Sequence, residues 1–284
     1  MATFYNQATL SYNGNTTTSN ITTGELVEVL SATKTAVQTE YQQDDTLTYV
    51  VNILNSGNTT MTGVTISDNL GAYTLNTITQ VPMDYVVGTV RYYVGGVLQP
   101  TPTVTAGPPL TISGLSVPAK GNVTVIYQAK TNDYAPLAQE SSITNTATIN
   151  ANNIANPITA SATVNAYSEP VLRISKSLTP TTVSENGQLT YTFIIQNYGN
   201  TAADEADALI VSDRFDPILN PITVAFNGTA WTEGTEYTYD ATTGQFVSTA
   251  GIITVPAASY TQDAATGAIS IVPGSATLTI TGTV

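Results

Sequence analysis

Leu47-Thr48-Tyr49-Val50-Val51-Asn52-Ile53-Leu54-Asn55-Ser56-Gly57-Asn58-Thr59 is a strand of β-branched, aromatic and aliphatic residues closed by a turn. It recurs as Leu189-Thr190-Tyr191, with Asn197-Tyr198-Gly199-Asn200-Thr201 at the same distance. Upstream in each copy stands a lysine, Lys34 or Lys176, 13 residues before the Leu-Thr-Tyr and 21 before the Asn-x-Gly-Asn. Downstream stand Ile66-Ser67-Asp68 and Val211-Ser212-Asp213, at offsets of 34 and 37 from the lysine. The extra length falls in an acidic insertion around Asp204, Glu205 and Asp207, where a surface loop absorbs it. An internal repeat of this length, built of short strands and turn signals with no helical period, predicts an all-β chain. Its expected architecture is two immunoglobulin-like β-sandwich domains in tandem.

The frame of the repeat is displaced. In the first copy, Ser142-Ile-Thr-Asn145-Thr-Ala-Thr-Ile149 and Ile158-Thr-Ala-Ser-Ala-Thr-Val164 follow the Gly121 to Tyr127 strand. The second copy reaches its counterpart strand at Gly274 to Ile280 and shows neither of these two. Matching segments stand at the front, where Phe4-Tyr-Asn6-Gln-Ala8-Thr-Leu10 parallels Ile143 to Ile149 and Ile21 to Val29 parallels Ile158 to Val164. The expected divisions are therefore an N-terminal donor strand or hairpin over residues 1–29, a first repeat over 30–166, and a second repeat over 167–284 lacking its closing hairpin. A sandwich short of strands leaves unpaired backbone and apolar surface, which another chain can cover by adding the strand. Donor and acceptor are different surfaces of one chain, so this predicts head-to-tail self-association that propagates as a filament. The competing reading is a piece of a longer repeat protein.

Composition narrows the function classes. Lys and Arg together number 7 against 20 Asp and Glu, a net charge of −13, which argues against nucleic acid or an anionic membrane as partner. Cys and His are absent, removing disulfides, thiol nucleophiles and imidazole chemistry, and no metal or other cofactor is expected. No apolar stretch approaches the ~20 residues of a membrane-spanning helix, and Met1 to Asn6 do not read as the basic and apolar regions of a signal peptide, so the export route is not legible.

Alternation along strands puts three polar residue types on apolar faces. Lys34 shares a face with Leu30, Ala32 and Ala36; Lys176 with Leu172, Ile174 and Leu178. Asp68 falls with Val64, Ile66 and Leu70; Asp213 with Leu209, Val211 and Phe215. Asn145 falls with Ile143, Ala147 and Ile149; Asn6 with Phe4, Ala8, Leu10 and Tyr12, the expected donor strand. All are expected to point inward. Burial disfavours the charged forms of both amine and carboxyl, which leaves a nucleophilic amine beside a proton donor facing an amide. The expected product is a Lys–Asn isopeptide bond with loss of ammonia; an unreacted Lys–Asp ion pair hydrogen-bonded to Asn satisfies the same residues.

The Lys-Thr, Leu-Thr-Tyr, Asn-x-Gly-Asn, Ser-Asp and Asn-Thr-Ala-Thr order resembles a tandem conserved-repeat domain of bacterial cell-surface proteins. The Lys, Asp, Asn triad resembles the self-crosslinking collagen-adhesin-type domains of Gram-positive pilins. That resemblance implies nucleophile, proton shuttle and acceptor roles for Lys34, Asp68 and Asn145 within one chain. It implies the same for Lys176 and Asp213 with Asn6 of the next copy. It also implies a structural fibre subunit, not an enzyme, outside a bacterial cell or spore. The sortase motif that joins pilin subunits is not found.

Weaker signals remain. Asp44-Asp45 and the 204–207 cluster lack the ligand spacing of a calcium loop and read as solvated charges. Trp231 lies in a predicted hairpin, Phe226 to Gly234, and with the 16 tyrosines supports an alternative reading as an adhesin or ligand-binding module.

Overall fold

The computed structural model describes residues 2–26, 28–152 and 154–284. An antiparallel hairpin comes first: β1 (Ala2–Asn6) pairs with β4 (Thr22–Leu26), and β2 (Thr9–Tyr12) with β3 (Asn15–Thr18). Asn13 and Gly14, both at positive φ, make its tip, the backbone a two-residue hairpin turn requires.

The first unit closes two sheets over one core. β5 (Leu30–Ala36), β7 (Thr46–Asn55), β16 (Asn122–Thr131), β12 (Arg91–Val94) and β13 (Val97–Leu98) form one, with β11 (Met83–Tyr85) also on β16. β6 (Glu40–Tyr41), β18 (Ile158–Ala166), β17 (Ser142–Asn150), β8 (Met61–Asp68), β15 (Leu110–Val117) and β14 (Thr103–Thr105) form the other. β9 (Tyr73–Leu75) and β10 (Ile78–Gln80) make a small hairpin. Alternate residues of β7 (Leu47, Tyr49, Val51, Ile53), β8 (Val64, Ile66) and β16 (Val123, Val125, Tyr127) meet in the middle, each essentially solvent-free. Apolar area of this kind, at ~25 cal/mol per Å², dominates the stability of a sandwich.

The second unit repeats the scheme with fewer strands. β19 (Leu172–Thr179), β20 (Gln188–Asn197), β28 (Gly274–Thr283), β22 (Ile222–Phe226) and β23 (Thr229–Trp231) form one sheet. β21 (Ser212–Arg214), β25 (Gln245–Ser248) and β24 (Tyr237–Asp240) form the other. A hairpin of β26 (Ser259–Gln262) and β27 (Ile269–Val272) precedes β28. Its core centres on Leu189, Phe215, Phe246, Leu278 and Ile280. β8 is paired on both sides, by β15 and β17; its counterpart β21 is paired by β25 alone among the described residues.

Both repeated Asn-x-Gly-Asn motifs are structural. Asn55 Nδ2 donates to the carbonyls of Thr59, Val117 and Pro118 while its Oδ1 accepts from Gly57 N. Asn197 does the same with Thr201 and Gly199, and also accepts from Val171 N. Each side chain saturates the turn that follows it, which accounts for a fully buried polar residue at the end of a strand.

One expectation is corrected here, and two residues expected to point inward are exposed in the single chain. Residues 4–12 are not one continuous strand: Gln7 and Ala8 break it, because Ser19 ties across, its N donating to Ala8 O and its Oγ accepting from Ala8 N. In the single chain Asn6, with Phe4, Leu10 and Tyr12, is exposed: among the described residues the hairpin pairs only with itself, and Phe4 is 58% exposed. The Lys176 face of β19 is largely open to solvent as well, Ile174 being 58% exposed, because no described strand lies over it. The acidic insertion forms a 3-10 turn, Glu205–Asp207, in which Asp204 and Asp207 cap each other's backbone.

Candidate functional site

Lys34 stands on β5 opposite Val51, in one sheet, and Asp68 at the end of β8, in the other. The ion pair between them crosses the core, Nζ to Oδ2 at 2.5 Å, with both side chains wholly buried. Asp68 Oδ2 also accepts from the Tyr127 hydroxyl at 2.5 Å, and Oδ1 accepts from Leu70 N at 3.0 Å. Asn145, on β17 opposite Ala162, donates from Nδ2 to that hydroxyl at 3.1 Å and accepts at Oδ1 from Gly71 N at 3.3 Å. Gly71 is at positive φ, and a Cβ there would strike Ile143, so the turn that aims this N–H requires glycine.

The fold thus brings the three predicted residues of the first unit together, through a fourth. Tyr127 lies between Asn145 and Asp68, and its ring stacks on Tyr49, with centroids 5.6 Å apart. The Lys34 ammonium lies 4.9 Å from the Tyr49 ring centre. Burial pulls the Lys34 amine down to about 8, against the opposing pull of Asp68. Burial, and then the Asp68 charge, push the Tyr127 hydroxyl well above its ordinary value. The result is an amine that loses its proton more readily than a free lysine, in a polar network that reaches the Asn145 amide through Asp68 and the Tyr127 hydroxyl. Sequence reasoning missed Tyr127; the signal was its inward place in the Val123, Val125, Tyr127 alternation.

The second unit carries the same pair in another environment. Lys176, on β19 opposite Phe193, contacts Asp213, on β21 opposite Phe246, by Nζ to Oδ2. Its ammonium lies 4.3 Å from the Tyr191 ring centre and 5.5 Å from that of Phe215. Its side chain is 39% exposed and that of Asp213 19%, against 0% for both partners in the first unit. The difference has one source: β17 and β18 cover the first pair, and no described strand covers the second. At the place of Tyr127, opposite the motif tyrosine, stands Ile280. Asn6 is on the hairpin, paired with Thr22, and not beside this pair.

Elsewhere, Trp231 stacks on Phe226, centroids 5.3 Å apart, across the predicted hairpin with its Asn227-Gly228 turn. Among the described residues no helix is long and apolar enough to cross a membrane.

No protein-family model matches the chain, and neither does any curated protein. Among solved structures it is similar to the pilus backbone RrgB of Streptococcus pneumoniae, at 15% identity and a TM-score of 0.36 over 86% of this chain and 55% of that one. It is also similar to BcpA, the major pilin subunit of Bacillus cereus, at 12% identity and 0.37, over 96% and 73%. The major pilin SpaD of Corynebacterium diphtheriae follows at 11% and 0.36, over 86% and 59%. The chain spans about half the length of the RrgB structures it matches.

Proposed function

We propose that this chain is a structural subunit of a fibre on a bacterial cell or spore surface, built head to tail from copies of itself. The hairpin β1–β4 of one copy completes the second unit of the next. The single observation that carries this is the contrast between the two lysine–aspartate pairs: one sealed under β17 and β18, the other exposed beside the free edge of β21. The hairpin has the matching form. Asn6 faces Thr22 across it as Asn145 faces Ala162 across β17 and β18, with Phe4 and Ala8 at the Ile143 and Ala147 places. Its apolar side chains are exposed in the single chain, a state that association relieves.

Seating the hairpin on β21 supplies Asn6 to Lys176 and removes water from the pair. The neutral Lys176 Nζ then attacks Asn6 Cγ; the new Nζ–Cγ bond forms as the Cγ–Nδ2 bond breaks. The proton lost by Nζ passes through the Asp213 carboxyl to the departing nitrogen, which leaves as ammonia. In the first unit Lys34, Asp68 and Asn145 carry out the same exchange within one chain, with Tyr127 orienting the carboxyl and the amide. Proximity in a dry site supplies the rate that enzymes obtain the same way.

Purified protein imaged by negative stain, with boiled denaturing gels and intact masses, tests the reading. Filaments and a heat-stable ladder are expected, and one ammonia is lost per bond. Lys176→Ala and Asn6→Ala each collapse the ladder to monomer; Lys34→Ala keeps the ladder and loses only the internal bond. Stable monomers at full mass overturn it.

A further inference from the structure

The first unit has an end left open among the described residues, and its local structure repeats that of an end that is covered. Val29 O accepts from Ser56 N at 2.8 Å, and Val171 O from Tyr198 N at 2.8 Å. Gly57 N donates to Asn55 Oδ1, and Gly199 N to Asn197 Oδ1, both at 2.9 Å. The chain therefore enters the two sandwiches along the same path. At the second entrance Asn200 is buried in the junction between units, donating to Leu137 O at 3.0 Å. Its counterpart three residues after Asn55 is Asn58, which is exposed. Beside it lies a cavity of about 720 Å³ lined by Val29, Thr60, Met61, Ile154, Pro157 and Ile158.

Geometry limits what covers this end in a fibre. Resting on the proposed hairpin exchange, we infer that the cavity end of the first unit is the docking surface for the far end of a second copy's second unit, at residues 183–185. β18 ends at Ala166, paired in parallel with β6 at Tyr41, and five residues (167–171) then lead to β19. A seated hairpin whose β4 lies as β18 does ends beside the counterpart of Tyr41, seven residues past the lysine, which is Val183. Only three residues (27–29) separate β4 from β5. Four Cα steps span at most about 14 Å, so the acceptor's far end and the donor's first unit must abut.

The joint inside the chain has a strap that the joint between copies lacks. The β26–β27 hairpin reaches back to the first unit through Gln262 Nε2 to Tyr73 Oη, Ile269 N to Asp133 O and Thr266 O from Gln80 Nε2. At the corresponding place the first unit has only the short Pro118-Ala-Lys-Gly121 turn. The cavity beside Met61 is the surface left for the neighbour to fill.

The chain has no cysteine, so single-cysteine reporters are clean. Asn58→Cys, Ser184→Cys and, as control, Leu98→Cys on the outer sheet strand are each labelled with a maleimide in monomer and filament fractions. Labelling at 58 and 184 is expected to slow at least tenfold in filaments, and at 98 to remain within twofold. Leu10→Cys reports hairpin insertion separately. Protection at 10 with unchanged reactivity at 58 and 184 overturns the docking surface and leaves the exchange standing. Absence of filaments overturns both.

Discussion

In the Asn145→Ala variant no bond can form in the first unit, and Lys34 remains a buried amine beside Asp68. Its folded value of about 8 lies below the 10.5 of an unfolded lysine, and burial is the main cause. The sign follows from linkage: between those two values the unfolded chain binds the proton that the folded chain has released, so stability rises with pH. Below about 8 both states hold the proton and the penalty is constant; above 10.5 neither does. Each full unit of pH inside the window is worth about 1.4 kcal/mol, and the approach to the lower edge is gradual. Between pH 7 and 9 the gain is therefore about 1 kcal/mol. Burial also raises Tyr41, Tyr49 and Tyr127, which reverses the trend as unfolded tyrosines ionise near pH 10, so the window is kept below that. Urea unfolding followed by far-ultraviolet circular dichroism measures the change. Subtracting the Asn145→Ala/Lys34→Met double variant cancels the tyrosines and isolates the lysine. A difference that stays flat or falls from pH 7 to 9 refutes a depressed, reactive Lys34. In the parent chain the proposed isopeptide bond would abolish the titration, so on that proposal its profile matches that of the double variant.

Tyr127→Phe removes the hydroxyl that joins Asn145 to Asp68; it is expected to cost about 1–3 kcal/mol and to slow loss of ammonia from the first unit, read by urea titration and timed intact mass. Asn55→Ala removes the partner of three carbonyls, that of Val117 buried and those of Thr59 and Pro118 partly so, and of one N–H, with an expected loss of roughly 1–3 kcal/mol and a lower midpoint in scanning calorimetry. Phe246→Ala empties the middle of the second core and is expected to destabilise that unit by about 3–5 kcal/mol, leaving the first unit's transition in place. Deleting residues 2–12 removes β1 and β2, and light scattering is expected to find monomers at every concentration at which the parent polymerises.

The sequence by itself determined the all-β class, the repeat and the inward placing of Lys34, Asp68 and Asn145, because strand alternation and turn chemistry are local. For Lys176 and Asn6 the same logic does not reach as far: alternation says which residues share a face, and in the single chain both faces are exposed, since only the sheets laid over a face decide whether it is covered. Ser19 likewise broke residues 4–12 through a contact eleven residues away, beyond any strand period. Tyr127 was legible as a core residue but not as the link between Asn145 and Asp68, since β8, β16 and β17 meet only across the closed sandwich. Tertiary structure alone decided that one lysine–aspartate pair is dry and the other wet. Desolvation, which sets the reactivity of an amine, depends on the strands laid over the pair and not on the residues beside it in the chain.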